Sequence, residues 1–118
     1  VVHGKDGLDE VTTTDKTFIS EAVRGSFKDY EISPEQFGIP RASADALLGA
    51  DINENVRIAL GILNGEEGPK RDIVLLNSGC AIYAADKASS IEEGIMLARD
   101  SIDSKAALRK LNMLKEFA

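Results

Sequence analysis

The sequence predicts an α/β chain: a short strand, a β-hairpin and then four to five helices. Three observations carry this. The chain opens on the β-branched pair Val1-Val2, followed by the glycine-punctuated run HGKDG. The segment TFISEAVRGSFKDYEIS alternates apolar and polar residues around Arg24-Gly25-Ser26, the period of a half-buried strand pair. From Ala42 onward apolar residues recur three and four apart, the period of a helix with one buried face.

Val1-Val2 reads as the tail of an apolar strand that starts upstream, so the chain looks like a fragment. In the hairpin, Gly25 supplies the positive φ of a tight turn. Phe27 is out of phase with Tyr30 and Ile32, which predicts a bulge. Ser33-Pro34-Glu35-Gln36 reads as an N-cap, a first-turn proline and a capping-box glutamine, closed at Gly38 after one turn.

A short helix is predicted from Ala42 to Leu48. In DINENVRIALGILNG, Asp51 caps, Glu54 completes the box, and Asn64-Gly65 stops the helix. Ile52, Val56, Ala59, Leu60 and Leu63 share one face, predicted to pack. PKRDIVLLNSGCAIYAADKA is apolar on nearly every side from Ile73 to Ala85, which predicts a helix buried all round. Its small residues Ser78 to Ala81 invite close approach of another backbone. Ser90-Ile91-Glu92-Glu93 opens the next helix with a capping box, and Ile91, Ile95, Ala98 and Ile102 form its buried stripe. A last helix restarts at Asp103 or Ser104, with Leu108, Leu111 and Leu114 facing inward.

The 118 residues suffice for one domain, residues 1–118, with no internal repeat or linker. The balance of 14 basic against 20 acidic residues, net charge −6, would repel a phosphate backbone, so no nucleic acid partner is expected. One cysteine, Cys80, sits in an apolar run and cannot form an internal disulfide, which fits a reducing, cytoplasmic setting. No basic-plus-apolar leader opens the chain and no apolar stretch is long enough to span a membrane, so neither export nor membrane insertion is expected.

Chemistry concentrates in Asp9 and Glu10. They follow a strand, where loop residues of α/β proteins converge on ligands. Two adjacent hard oxygen ligands suit Mg²⁺, which is usually held by one or two carboxylates with water and substrate phosphates completing its shell. Gly4 and Gly7 give the loop freedom to bend. From spacing alone the alternative stays open that the two acids are solvated loop residues. His3 lacks a partner at ligand spacing and reads as structural. Lys5 beside Asp6 is placed to touch a phosphate, but the reading preferred is a solvated pair that contributes little. Asn77 must find hydrogen bonds inside an apolar helix, fixing a loop or a neighbouring helix. In Ser78-Gly79-Cys80 no histidine is positioned to activate a nucleophile. These residues contain no Walker loop, no G-x-G-x-x-G and no paired cysteines. An enzyme built of them alone would be incomplete.

The opening VVHGKDGLDEVTTT closely resembles the VVHG-x-DGLDE segment of the anthranilate phosphoribosyltransferase family, which shares its fold with pyrimidine nucleoside phosphorylases. FKDYEISPEQFGIPRASADALLGAD is similar to the family's hairpin, its Thr/Ser-Pro-Glu-Asp-Phe-Gly turn and its Gly-Gly-Asp helix start. LNSGCAIYAADKASSIEEGIMLARDSIDSKAALRKL resembles the family's Leu-Asn-Ala-Gly-Ala-Ala-Leu-Tyr helix and its closing helices. Three departures stand out: Gln36 where an acid is usual, Cys80 where alanine is, and Lys105 directly after Ser104 without the usual glycine.

The resemblance implies the C-terminal part of a mixed-sheet phosphoribosyltransferase catalytic domain. It implies transfer of the phosphoribosyl group from phosphoribosyl pyrophosphate to anthranilate in tryptophan biosynthesis, with Mg²⁺ as cofactor and Asp9 and Glu10 as its ligands. The family's glycine-rich phosphate loop and its smaller helical domain, through which it dimerises, lie upstream of the matching segment. The parent is thus expected to be a homodimer and these residues alone inactive. Two alternatives are a non-catalytic binding module on the same scaffold and a related nucleoside phosphorylase-like enzyme.

Overall fold

The computed structural model describes residues 1–117. They group into two compact units, Val1–Ala46 and the residues from Leu47 onward.

The first unit is a three-stranded antiparallel sheet in the order β1-β2-β3, with β1 at Val2–Gly4, β2 at Thr17–Val23 and β3 at Ser26–Ile32. β2 and β3 are joined by the two-residue turn Arg24-Gly25, with φ of 50° and 82°. Two consecutive positive φ values match the right-handed twist of the flanking strands, so this turn closes a hairpin without splaying it. The register runs unbroken from Thr17 opposite Ile32 to Val23 opposite Ser26. The bulge expected at Phe27 is therefore absent. Phe27 pairs with Ala22 and lies, 82% exposed, on the face opposite Tyr30 and Ile32. Its phase was that of the other face.

On the inner face Thr17, Ile19 and Ile32 are buried, and the unit's core also takes in Val11, Thr12, Thr13, Pro34 and Ile39. Pro34–Phe37 form one 3-10 turn. The Ser33 backbone N–H donates to Gln36 Oε1 at 2.9 Å, half of a capping box, and Gly38 ends the turn with φ 69°. Arg41 then ties this turn to the segment before β2. Its Nε donates to Glu35 Oε1 at 2.7 Å and its Nη1 to Asp15 Oδ1 at 3.2 Å. A single turn, α1 (Ala44–Leu47), follows.

The second unit consists of α2 (Ile52–Leu63), α3 (Pro69–Ala84), α4 (Ile91–Asp103) and α5 (Ala106–Phe117). Asp51 caps α2 by accepting from the Glu54 N–H at 2.9 Å. Glu54 does not complete a box: its carboxylate is taken by Arg57, one turn ahead, at 2.6 and 2.9 Å. Ser90 caps α4 by accepting from the Glu93 N–H at 3.2 Å. Glu93 reaches back one residue further than expected, accepting from the Ser89 N–H at 2.7 Å.

α3 and α4 meet at two glycines. A Cβ on Gly79 would stand 2.8 Å from the Ile95 backbone nitrogen, and one on Gly94 would stand 3.0 Å from the Gly79 carbonyl carbon. The small residues expected to admit another backbone do so here. Ile95, Ala98 and Ile102 of α4 and Leu75 and Leu76 of α3 are buried around this contact level. Arg71, 7% exposed, adds a polar tie by donating to the Gly65 carbonyl at 3.1 Å and to Asp103 at 2.6 Å. At the end of α4, Lys105 adopts φ 62°. That is the left-handed conformation glycine takes most readily, at the junction where the resemblance has a glycine and this sequence does not.

Three burial expectations are corrected. α3 is not buried all round, since Val74 is 37% exposed and Ala81 is exposed. On α2, Ile52, Val56 and Ala59 are exposed and the helix buries no residue fully. Leu114 of α5 is exposed as well. Hydrophobic period marks an apolar face without saying what covers it. No helix among the described residues is long and apolar enough to cross a membrane.

Two outcomes follow for the fold. Gly94→Ala places a methyl against backbone atoms, an overpacking cost of about 1–3 kcal/mol or more that exceeds the helix-propensity gain of about 1 kcal/mol. Urea denaturation should show a net loss of stability; an unchanged or raised midpoint would contradict the close contact. In the first unit, the Arg41 guanidinium beside Glu35 holds its carboxyl down at about 2. A carboxyl lowered on folding stabilises above its unfolded value, and that contribution fades as pH falls from about 4.3 through the folded value. Arg41→Gln should return the Glu35 titration, followed by NMR, to the ordinary range. A midpoint left low in the variant would contradict the pairing.

Candidate metal-binding loop

Residues 5–16 join β1 to β2, and their backbone closes on itself. The Gly7 N–H donates to the Gly4 carbonyl at 2.9 Å and the Gly4 N–H to the Leu8 carbonyl at 2.8 Å. Gly7 turns with φ 96°, a conformation glycine adopts without steric cost. At the other end the Lys5 N–H reaches the Lys16 carbonyl at 2.9 Å. Gly4 must lack a side chain, because a Cβ there would meet Thr12 Cγ2 at 3.1 Å and crowd the Asp6 carboxylate.

Asp6 organises the interior of this loop. Its Oδ1 accepts from the Leu8 N–H at 3.1 Å, and its Oδ2 accepts from the Thr12 hydroxyl at 2.5 Å and from the Thr14 hydroxyl. The Thr14 N–H donates to Thr12 Oγ1 at 3.0 Å, and the Thr12 N–H to Thr17 Oγ1 at 3.0 Å on β2. Partial burial works to raise the Asp6 carboxyl, but the donors from Thr12, Thr14 and Leu8 together outweigh it and hold the group below its ordinary value. Lys5 does not pair with Asp6, contrary to the sequence reading. Lys5 and Lys16 share Glu31 of β3 instead, the second at 3.3 Å.

Asp9 and Glu10 follow the Gly7-Leu8 turn and are both exposed. Among the described residues neither carboxylate is engaged in a hydrogen bond or ion pair, in contrast to Asp6 three residues earlier. Nor do three or more His, Cys, Asp or Glu residues gather into a metal-holding group among the described residues. The pair therefore offers two hard oxygen donors with coordination left over. That donor set fits an ion which keeps waters and takes substrate phosphate oxygens, as Mg²⁺ does, and does not fit a closed structural site.

The other residues considered for chemistry lie elsewhere. His3 stands exposed on β1 opposite Phe18. Asn77 donates to the Ile73 carbonyl one turn back in its own helix at 2.9 Å. Burial pushes the Cys80 thiol up to about 11, so it stays protonated near neutral pH and suits packing. Sequence reasoning missed Asp6, Thr12 and Thr14. The available signal was Asp-Gly, the turn dipeptide whose carboxylate bonds its own backbone two residues on.

With this geometry in place, comparison with known proteins is specific. Residues 1–108 match the sequence family described as glycosyl transferase family, a/b domain. The anthranilate phosphoribosyltransferase of Rubrobacter xylanophilus is 53% identical over 112 residues, covering 94% of this chain and 33% of that protein. The crystal structure of anthranilate phosphoribosyltransferase from Thermus thermophilus superposes with a TM-score of 0.85 at 38% identity, over 96% of this chain and 33% of that one. The Saccharomyces cerevisiae enzyme in complex with PRPP and Mg gives 0.83 at 29% identity, over 94% of this chain and 32% of that one. The chain thus spans about a third of the length of the relatives it matches. With the family match running from the first strand into the last helix, the chain belongs to the glycosyl transferase family, a/b domain.

Proposed function

We propose that these residues form part of an anthranilate phosphoribosyltransferase, supplying Asp9 and Glu10 as Mg²⁺ ligands to a site that other parts of a longer polypeptide complete. The observation that carries this reading is the adjacent, exposed pair Asp9 and Glu10 on a loop whose neighbouring acid, Asp6, is taken up by Thr12, Thr14 and Leu8. Likeness to relatives of that name supports it. The substrates are then phosphoribosyl pyrophosphate and anthranilate, in tryptophan biosynthesis. A homodimer formed through residues outside this chain and a cytoplasmic setting belong to the same proposal.

Within that reaction the chain's own residues hold and orient. Asp9 and Glu10 would bind the ion, and the Asp6 network keeps them at the loop tip. When bound, the ion neutralises the charge that grows on departing pyrophosphate, without a proton transfer. Asp9 and Glu10 would act as ligands only, and no nucleophile from this chain is required: the amine of anthranilate bonds to C1 of the ribose as the C1–O bond to pyrophosphate breaks, and the amine proton passes to a base outside these residues. The two lysines beside the loop are engaged by Glu31, and no role is assigned to them.

In the intact enzyme, Asp9→Asn and Glu10→Gln should each lower kcat/KM for phosphoribosyl pyrophosphate by at least about 10–100-fold and shift its Mg²⁺ dependence to higher concentration. The KM for anthranilate should change little. Unaltered Mg²⁺ dependence in both variants would contradict the assignment. The purified 118-residue chain should show no phosphoribosyl transfer by itself, and turnover above trace would contradict the claim that the site is completed elsewhere.

A further inference from the structure

We infer that Asp6 is a positioning residue: with the hydroxyls of Thr12 and Thr14 it forms a latch that presets the loop on which Asp9 and Glu10 meet a divalent ion. The inference rests on the metal reading above and adds to it a residue set that touches neither ion nor substrate.

Three carboxylates close in sequence, Asp6, Asp9 and Glu10, are occupied differently. Asp6 accepts three donors, from Thr12 and Thr14 through Oδ2 and from Leu8 through Oδ1. With both Oδ2 sites and one Oδ1 site taken, this carboxylate has little left to offer an ion. Among the described residues Asp6 does not gather with Asp9 and Glu10 into a three-acid group. Its bonds instead join the two arms of the loop. Leu8 immediately precedes Asp9, while Thr12 and Thr14 follow Glu10 by two and four residues, so the acids lie on the stretch that the latch spans. Thr12 is fully buried and its N–H is anchored on Thr17 of β2, so the latch is referenced to the sheet. Gly4 admits it by having no Cβ. Fixing the loop before the ion arrives spares ordering entropy that would otherwise be charged against binding.

The test uses the intact polypeptide that carries these residues, Mn²⁺ as probe in the presence of inorganic pyrophosphate, and the electron paramagnetic resonance signal of free Mn²⁺ as readout. Thr14→Val removes a hydroxyl donor while leaving every charge in place, and Thr14 is only partly buried, so the fold should tolerate it. Hydrogen exchange at the Leu8 amide reads the latch directly, without metal. Thr14→Val should speed that exchange and weaken Mn²⁺ binding about 3–10-fold, the size of one hydrogen bond, with Thr14→Ser restoring both. Asp6→Asn, the second variant, should loosen the same amide. Faster exchange with unchanged Mn²⁺ affinity in Thr14→Val, while Asp9→Asn abolishes binding, would overturn the positioning role and leave the metal reading intact. Mn²⁺ affinity indifferent to both Asp9→Asn and Glu10→Gln would overturn the metal reading and the inference with it. Leu8 exchange unmoved by both latch variants would overturn the latch alone.

Discussion

The hydrogen bonds that Asp6 accepts from its own loop are the constraint on which the shape of that loop depends. A loop of a dozen residues between two strands has many conformations, and each residue fixed costs about 1–2 kcal/mol of backbone entropy. Here the cost is met locally. Three donors converge on one carboxylate, two glycines allow the chain to double back, and buried threonines seat the returning arm on β2. Of the four acids in this loop, Asp6 and Asp15 are bonded, the first to the loop's own donors and the second to Lys16 and Arg41, while Asp9 and Glu10 stand exposed.

The rest of the first unit reinforces that loop from outside. Arg41 grips Asp15 and the Thr14 carbonyl at its end, and Glu31 of β3 collects Lys5 and Lys16 from its two flanks. These exposed pairs contribute little to stability one by one. Their geometry matters more, because both flanks are tied to the hairpin. In the helical unit the corresponding device is steric: Gly79 and Gly94 let α3 and α4 approach at backbone distance, and Arg71 ties the end of α4 to the loop after α2.

Much of this was legible in the sequence, and the exceptions share a cause. Strand pairing, the Arg24-Gly25 turn, the Asp51 and Ser90 caps and the small-residue contact depend on local rules, and each stands where local pattern put it. Phe27 was misjudged because an exposed aromatic looks like a core residue out of phase. Ile52, Val56 and Leu114 differ from expectation because periodicity identifies a face and not its cover. At the loop, type and position single out Asp9 and Glu10 as candidate ligands, and both are exposed. Asp6 was assigned to Lys5, its neighbour in sequence, because threonines six and eight residues away become its partners only when the loop folds back. Lys105 shows the reverse: a missing glycine noticed in sequence stands where the backbone takes a positive φ.

The central claim is that Asp9 and Glu10 together hold a divalent ion while Asp6 does not. The most direct measurement is a crystal structure of the intact polypeptide soaked with Mn²⁺ and pyrophosphate, with the ion located by anomalous scattering. The account requires an ion bonded to carboxylate oxygens of both Asp9 and Glu10, at about 2.0–2.6 Å as for hard divalent cations, with Asp6 still bonded to Thr12 and Thr14. An ion coordinated by Asp6, or bound with neither Asp9 nor Glu10 in its shell, would contradict it.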